Sequence, residues 1–557
     1  MTQKTLRNLL KMMTSRDAIR GSRASGRTAS FRTRGASLAA VSALVLAGCG
    51  VQAEQAAPSA SSAIPPTVQA TESVVTSAAM GINGDTASLP QYAKFYSQHA
   101  EWSRCADRPG AECATVEVPK VWNDPAQGVV KIALLRFKAT GDKKGTLFMN
   151  PGGPGGSGTS FVGEGYKNVV TPAVRSAYDI VGFDPRGVGK SEPITCLDDR
   201  DTDEWLSSSP DMTTEAGFKD SQTWAQKITQ SCKKHSGDLL PYVDTWSAAR
   251  DLDVLRAVVG SKTLDYLGFS YGTYLGASYA ELYPSRVGRM VLDGAMDPTL
   301  TENQLIEGQA QGFENSIHAF AKWCVTSGKT NCPFAGDADH ALQQIRELLA
   351  KIDKKPLDTG TSRKLTGSLA AGAVLMPMYN NSSWPVLAVA LGAAMNGDGS
   401  ILLQISDQMN ERDKTGHYAS NANFAILAVN CLDHPYAIDK AAMDAEAKKL
   451  DKISPTFGLG LAYGGVMCGA WPAKPVRTPA PIHAKGSAPI VVVGTTGDPA
   501  TPYAWAQALH KQLDNSTLIT YKGFGHTAYG RSGGCVEEAV DAYLVHGTQP
   551  EANLQCG

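Results

Sequence analysis

The chain has 557 residues, of which 43% are hydrophobic and 19% charged, with a formal net charge of −1 at pH 7. That length holds a large core with insertions, and the composition is that of an ordinary globular protein rather than a disordered or fibrous one. Balanced charge, with no basic patch interleaved with aromatics in the body, excludes a nucleic-acid partner held through phosphate contacts.

Positive charge gathers at the N-terminus: Lys4, Arg7, Lys11, Arg16, Arg20, Arg23, Arg27, Arg32 and Arg34. An apolar stretch over 36–47 follows, too short to span a bilayer as a mature helix. It ends in Leu46-Ala47-Gly48-Cys49. Basic region, apolar region and small-small-Cys in that order resemble the lipobox of bacterial lipoproteins. The resemblance implies a signal peptide over 1–48, cleavage before Cys49 and lipid modification of its sulfur, hence a membrane anchor on an exported protein. An ordinary secretory signal is the alternative. Residues 49–91 are rich in Ala, Ser, Pro, Thr and Gln and read as a flexible tether, with order expected from Tyr92.

Strand-like runs then alternate with helical stretches, the pattern of a mostly parallel sheet covered by helices. The expected strands are 130–137, 146–149, 179–183, 264–268, 289–292, 489–493 and 516–521. Between 297 and 481 the strand rhythm stops, and 304–323, 341–352, 384–395 and 437–450 read as helices. This segment is expected to be a largely helical cap, inserted between an N-terminal core part (92–296) and a C-terminal one (482–557).

The run Gly268-Phe269-Ser270-Tyr271-Gly272 follows one strand and opens a helix. A sharp strand-to-helix turn lifts a serine hydroxyl above a sheet edge, and the glycines leave room beside it. Serine needs a base, histidine suits at neutral pH, and the base needs a carboxylate to fix its tautomer. In this architecture the order is Ser, then Asp or Glu, then His, each just after a strand. Asp498 and His526 meet that order; Asp514 is a rival acid that reads as solvated. Thr501 is expected to cap a helix starting at Pro502. The oxyanion of acyl transfer needs donors. Tyr271 N–H is one, and the loop Asn150-Pro151-Gly152-Gly153 supplies the other, with Gly153 first and Gly152 second. Spacing and the missing lysine rule out a phosphate loop. Asp184-Pro185-Arg186-Gly187 reads as a structural turn.

Cys49 aside, Cys105, Cys113, Cys196, Cys232, Cys324, Cys332, Cys431, Cys468, Cys535 and Cys556 are even in number, which suggests disulfides in an exported chain. Sequence does not fix the connectivity; pairing of neighbours is the preferred arrangement. Without Cys-x-x-Cys or His-Glu-x-x-His, neither metal nor cofactor is expected.

Pro-Gly-Gly-Pro-Gly-Gly-Ser-Gly, Phe-Asp-Pro-Arg-Gly-Val-Gly-Lys-Ser, Gly-Phe-Ser-Tyr-Gly-Thr and Gly-Asp-Pro-Ala-Thr-Pro, with Gly-His near the end, resemble the α/β-hydrolase fold. Within it they resemble secreted tripeptidyl aminopeptidases, relatives of proline iminopeptidase with a distinctive C-terminal region, over 92–557. Pro151 stands where many proline iminopeptidases have His, as in the tripeptidyl branch. The resemblance implies a serine exopeptidase that releases short peptides from free N-termini, with Ser270, Asp498 and His526 as its triad. Such an enzyme needs a cap carboxylate for the substrate ammonium; Glu314 and Asp433 are the candidates. An esterase or lipase with the same triad, proline iminopeptidase-like specificity and an inactive binding protein are the competing readings.

Overall fold

In the computed structural model, which describes residues 86–327 and 331–557, ten strands form one sheet. They are β1 (Ser103–Arg104), β2 (Glu112–Pro119), β3 (Val129–Phe137), β4 (Gly145–Asn150), β5 (Tyr178–Phe183), β6 (Leu264–Phe269), β7 (Val287–Asp293), β8 (Ile490–Gly497), β9 (Ser516–Phe524) and β10 (Leu554–Cys556). Their order across the sheet is β1-β2-β3-β5-β4-β6-β7-β8-β9-β10. From β5 to β10 neighbours run parallel; β1, β2 and β3 form an antiparallel end.

The central strands are apolar at successive positions because both faces are covered. Side chains alternate between two cores. Phe148, Met290, Leu292 and Val492 face one; Leu147, Met149, Val291, Val491 and Val493 face the other. The sequence expectation finds β3 to β9. It misses β1 and β10, which have few residues, and β2, whose Ala114, Val116 and Val118 are buried in alternation with exposed Thr115 and Glu117.

Between β7 and β8 the chain is largely helical, from Glu302–Ser327 through Ala338–Lys354, Gly367–Leu375, Trp384–Met395, Ser400–Met409, Ala422–Asp433 and Lys440–Ile453. A second helical excursion joins it, Asp199–Ser207 and Glu215–Ser236, between β5 and the helix Thr245–Val258. Arg412 donates to both Asp203 oxygens at 2.6 and 2.7 Å, and Ser209 Oγ donates to Asp353 at 2.6 Å. The cap is thus drawn from two stretches of chain, not the one expected.

The five disulfides among the described residues pair neighbouring cysteines: 105–113, 196–232, 324–332, 431–468 and 535–556. The signal segment, Cys49 and the tether as far as residue 85 lie outside the described residues. The last part of the expected tether is packed: Thr86 is buried, and its hydroxyl bonds Tyr96 Oη at 2.7 Å.

The 184–191 turn is structural, as expected. Asp184 accepts from Ser157 Oγ (2.7 Å), Thr159 N (2.9 Å) and Lys190 N (2.8 Å), which ties the start of the helix Gly158–Val169 to the end of β5. Arg186 is fully buried, paired with Asp251 and donating to the carbonyls of Pro119, Lys120 and Tyr242.

Candidate active site

Ser270 stands between β6 and the helix Tyr271–Leu282 with φ 56° and ψ −127°. A non-glycine residue held there is strained, and the surroundings must over-determine it. They do. Its N–H donates to Asp293 O at 2.9 Å, and its carbonyl accepts Thr273 Oγ at 2.6 Å. The two flanking glycines are required by space: a Cβ on Gly268 would lie 2.4 Å from Gly272 O, and one on Gly272 2.8 Å from Asn150 Oδ1.

His526 follows β9, and Asp498 follows β8. His526 Nδ1 lies 2.9 and 3.0 Å from the two Asp498 oxygens, and both side chains are almost fully buried. The Asp498 carboxylate also accepts from the N–H groups of Ala500, Thr501 and Thr527 at 2.9–3.0 Å, so its position is set by the backbone on both sides. The step from Asp293 to Gly294 brings the serine and histidine loops together. Asp293 O holds Ser270 N, while a Cβ on Gly294 would lie 3.3 Å from His526 Cε1. His526 Nε2 is buried without a hydrogen-bond partner. Bonds of this kind often close only when substrate is bound. Asp514 lies elsewhere, its N–H on His483 O.

The glycine loop after β4 lies against the serine turn. A Cβ on Gly152 would come within 2.9 Å of Ser270 Cβ and 3.0 Å of Tyr271 N. Gly152 N–H is itself spent on Asn150 Oδ1 at 2.9 Å. With that N–H occupied, Gly152 is not free to serve as the second oxyanion donor, and Gly153 is the other glycine of the loop the sequence offers for it.

The two cap carboxylates have different fates. Glu314 is occupied: Arg346 Nη2, Ser454 Oγ and both the N–H and Oγ of Thr456 donate to it at 2.6–3.1 Å. It fastens the 454–456 turn to the helix Glu302–Ser327, which corrects its reading as an ammonium ligand. Asp433 accepts from Thr245 N at 3.0 Å and from Thr245 Oγ, which also meets Tyr271 Oη. Burial, and then the neighbouring Asp244, push the Asp433 carboxyl up to about 7.

Residues 145–336 match the family described as alpha/beta hydrolase fold, and residues 454–556 the family described as TAP-like protein. The curated protein Serine protease Hip1 of Mycobacterium tuberculosis is 35% identical over 479 residues, covering 82% of this chain and 91% of that protein. The chain belongs to the TAP-like α/β-hydrolases. Carboxylesterase B of Mycobacterium tuberculosis is 33% identical over 452 residues (80% of this chain, 86% of that protein). Tripeptidyl aminopeptidase of Streptomyces lividans is 32% identical over 475 residues (82% and 86%).

The sequence reading gives Thr501 only a capping role and assigns none to Asp293 or Tyr379, and all three meet the serine and histidine loops. Thr501 does not cap its helix: the helix is Tyr503–Gln512, Pro502 precedes it, and Thr501 Oγ lies 3.3 Å from His526 Nδ1. Asp293 ends β7, a strand legible in the sequence, and an acid at a strand end near a serine turn is the available signal. Tyr379 comes from the cap, and no motif marks it.

Proposed function

We propose that the protein is a serine exopeptidase that releases short peptides, tripeptides in the first instance, from free N-termini through an acyl-enzyme. The observation that carries this reading is the buried pair of His526 and Asp498 set against the strained Ser270 turn. Ser270 Oγ attacks the scissile carbonyl carbon while His526 Nε2 takes its proton. Asp498 holds the imidazole by Nδ1 and stabilises the imidazolium. The N–H groups of Gly153 and Tyr271 receive the oxyanion. The imidazolium then gives its proton to the leaving amine nitrogen, and water, activated by the same base, hydrolyses the ester on Ser270.

Asp433 is the carboxylate this reading keeps for the substrate ammonium, because it is linked through Thr245 to Tyr271, beside the nucleophile. The named activity of the Streptomyces relative supports the tripeptide specificity. The esterase reading is favoured by one observation, the relative named Carboxylesterase B. The test is a panel of free and N-acetylated tripeptidyl, dipeptidyl and prolyl amides with short-chain esters. An exopeptidase turns over free tripeptidyl amides and loses the acetylated ones; equal turnover of both, or esters alone, overturns the reading. Ser270→Ala should abolish acyl-enzyme formation.

The reading includes export and a lipid anchor at Cys49. Five disulfides support an oxidising compartment. Cys49→Ala should release the protein from membranes, and unchanged association would refute the anchor.

A further inference from the structure

Tyr379 reaches the proposed active site from the cap. It closes the short 3-10 turn Met376–Tyr379. Its carbonyl accepts the His526 N–H at 2.8 Å. Its ring stands edge-to-face against the imidazole, with centroids 5.4 Å apart at 81°, and Phe313 packs on it at 5.4 Å. These contacts fix the ring, yet its hydroxyl is buried with no hydrogen-bond partner. Burial, and then the charge of Asp498, hold that phenol well above its ordinary range, so it stays protonated and keeps a hydrogen to donate. A buried donor without an acceptor costs free energy and calls for an explanation. The imidazole it packs against carries a second such atom, His526 Nε2. Both unpartnered atoms belong to rings in contact, and of the two only the Tyr379 hydroxyl has no partner assigned in the proposed mechanism.

Which part of the substrate arrives there follows from the chemistry. The base that takes the serine proton returns it to the leaving amine, so His526 stands on the leaving side of the scissile bond, and Tyr379 is the cap side chain packed on it. A peptide leaving group presents an acceptor on that side, its first carbonyl past the scissile bond. We infer that the Tyr379 hydroxyl donates a hydrogen bond to this first carbonyl of the leaving chain, so that the cap recognises the departing peptide as well as the released one. The inference rests on the exopeptidase reading above. It implies a preference that the triad alone does not create: a peptide can use the bond, whereas an arylamide, whose leaving amine has no such carbonyl, cannot.

The experiment compares the full chain with Tyr379→Phe on two substrates sharing one tripeptidyl acyl part, a longer peptide with a free N-terminus and the tripeptidyl arylamide. Tyr379→Phe should lower kcat/KM on the peptide about 10-fold, the size of one neutral hydrogen bond, and leave the arylamide within about twofold. Its Tm should stay level or rise, because the hydroxyl removed has no partner in the free protein. Equal losses on both substrates, no loss on the peptide, or a fall in Tm would each overturn the inference. Tyr379→Leu, which also removes the ring packed on His526, should slow both substrates. The underlying reading is checked separately. Ser270→Ala must lose both activities; if the unaltered protein cleaves neither substrate, the exopeptidase reading fails and this inference falls with it.

Discussion

Asp293 closes β7 with two sets of bonds. Its carbonyl takes the Ser270 N–H, and its carboxylate takes the N–H of Ala528 at 3.0 Å and of Tyr529 at 2.7 Å. One residue therefore sets the spacing between the serine turn and the chain just past His526. Asparagine would keep one acceptor but turn an NH2 group against a backbone N–H. Asp293→Asn should lower kcat by about 10²-fold through misplacement of the base, with KM little changed. Asp498→Asn should cost roughly 10⁴-fold, because it stabilises the wrong imidazole tautomer. Steady-state kinetics on a tripeptidyl arylamide separates the two; equal effects would contradict the distinct roles. The sequence marks Ser270, Asp498 and His526 because each ends a buried strand in a turn of recognisable composition. Glu314 and Asp433 have no such marker. An acidic side chain reads the same in sequence whether it faces a ligand or, like Glu314, three neighbouring residues. Gly152 and Gly153 are equally matched as loop glycines until Asn150 is seen to claim one N–H.

The strands that were legible are those buried on both faces, since continuous apolar runs leave little room for another reading. Helix legibility follows length and pattern together. Ala338–Lys354 shows one apolar stripe, Trp384–Met395 is a twelve-residue apolar run, and both read as helices in the sequence. Gly367–Leu375, nine residues and buried over most of its surface, is too short to show a period. At the far edge of the sheet, β10 pairs with β9 through only three residues, and Cys556 bonds it to Cys535 at the start of the helix Cys535–His546. So short an edge strand depends on that link. Replacing both cysteines by serine should remove about 3 kcal/mol of stability, the chain-entropy value for a loop of this length. Amide exchange at 554–556 should accelerate as well. An unchanged denaturant midpoint would show that β10 holds without it.

At the scale of the whole molecule, burial pushes three carboxyls among the described residues up to about 7: Asp293, Glu302 and Asp433. Their ordinary values are 3.8, 4.5 and 3.8. A raised carboxyl contributes stability that is fully present below its unfolded value and is lost as pH climbs through its folded one. Buried His434, pushed down to about 4 from 6.5, has the opposite sign: its contribution is present above 6.5 and fades as pH falls toward 4. Of these four groups, three oppose one between about 4.5 and 6.5, and the fall fades as the acids themselves titrate near 7. Tm should fall from pH 5 to pH 7.5, most steeply near pH 6, and Asp433→Asn should flatten the profile. Thermal unfolding across that range checks this, and a Tm rising with pH would refute it. The amino-acid sequence by itself determined the strands β3 to β9, the chain order of the proposed serine, acid and base, and the cysteine content, because strand periodicity and turn chemistry are local properties. Only the tertiary structure decided how the cap meets that machinery. Tyr379 on His526, the Glu302–Ser327 helix against the Asp498 loop at Pro499 and Ala500, and Asn421 on the 187–194 turn join residues far apart in the chain. Such contacts depend on how two insertions fold back together, and no local pattern encodes that.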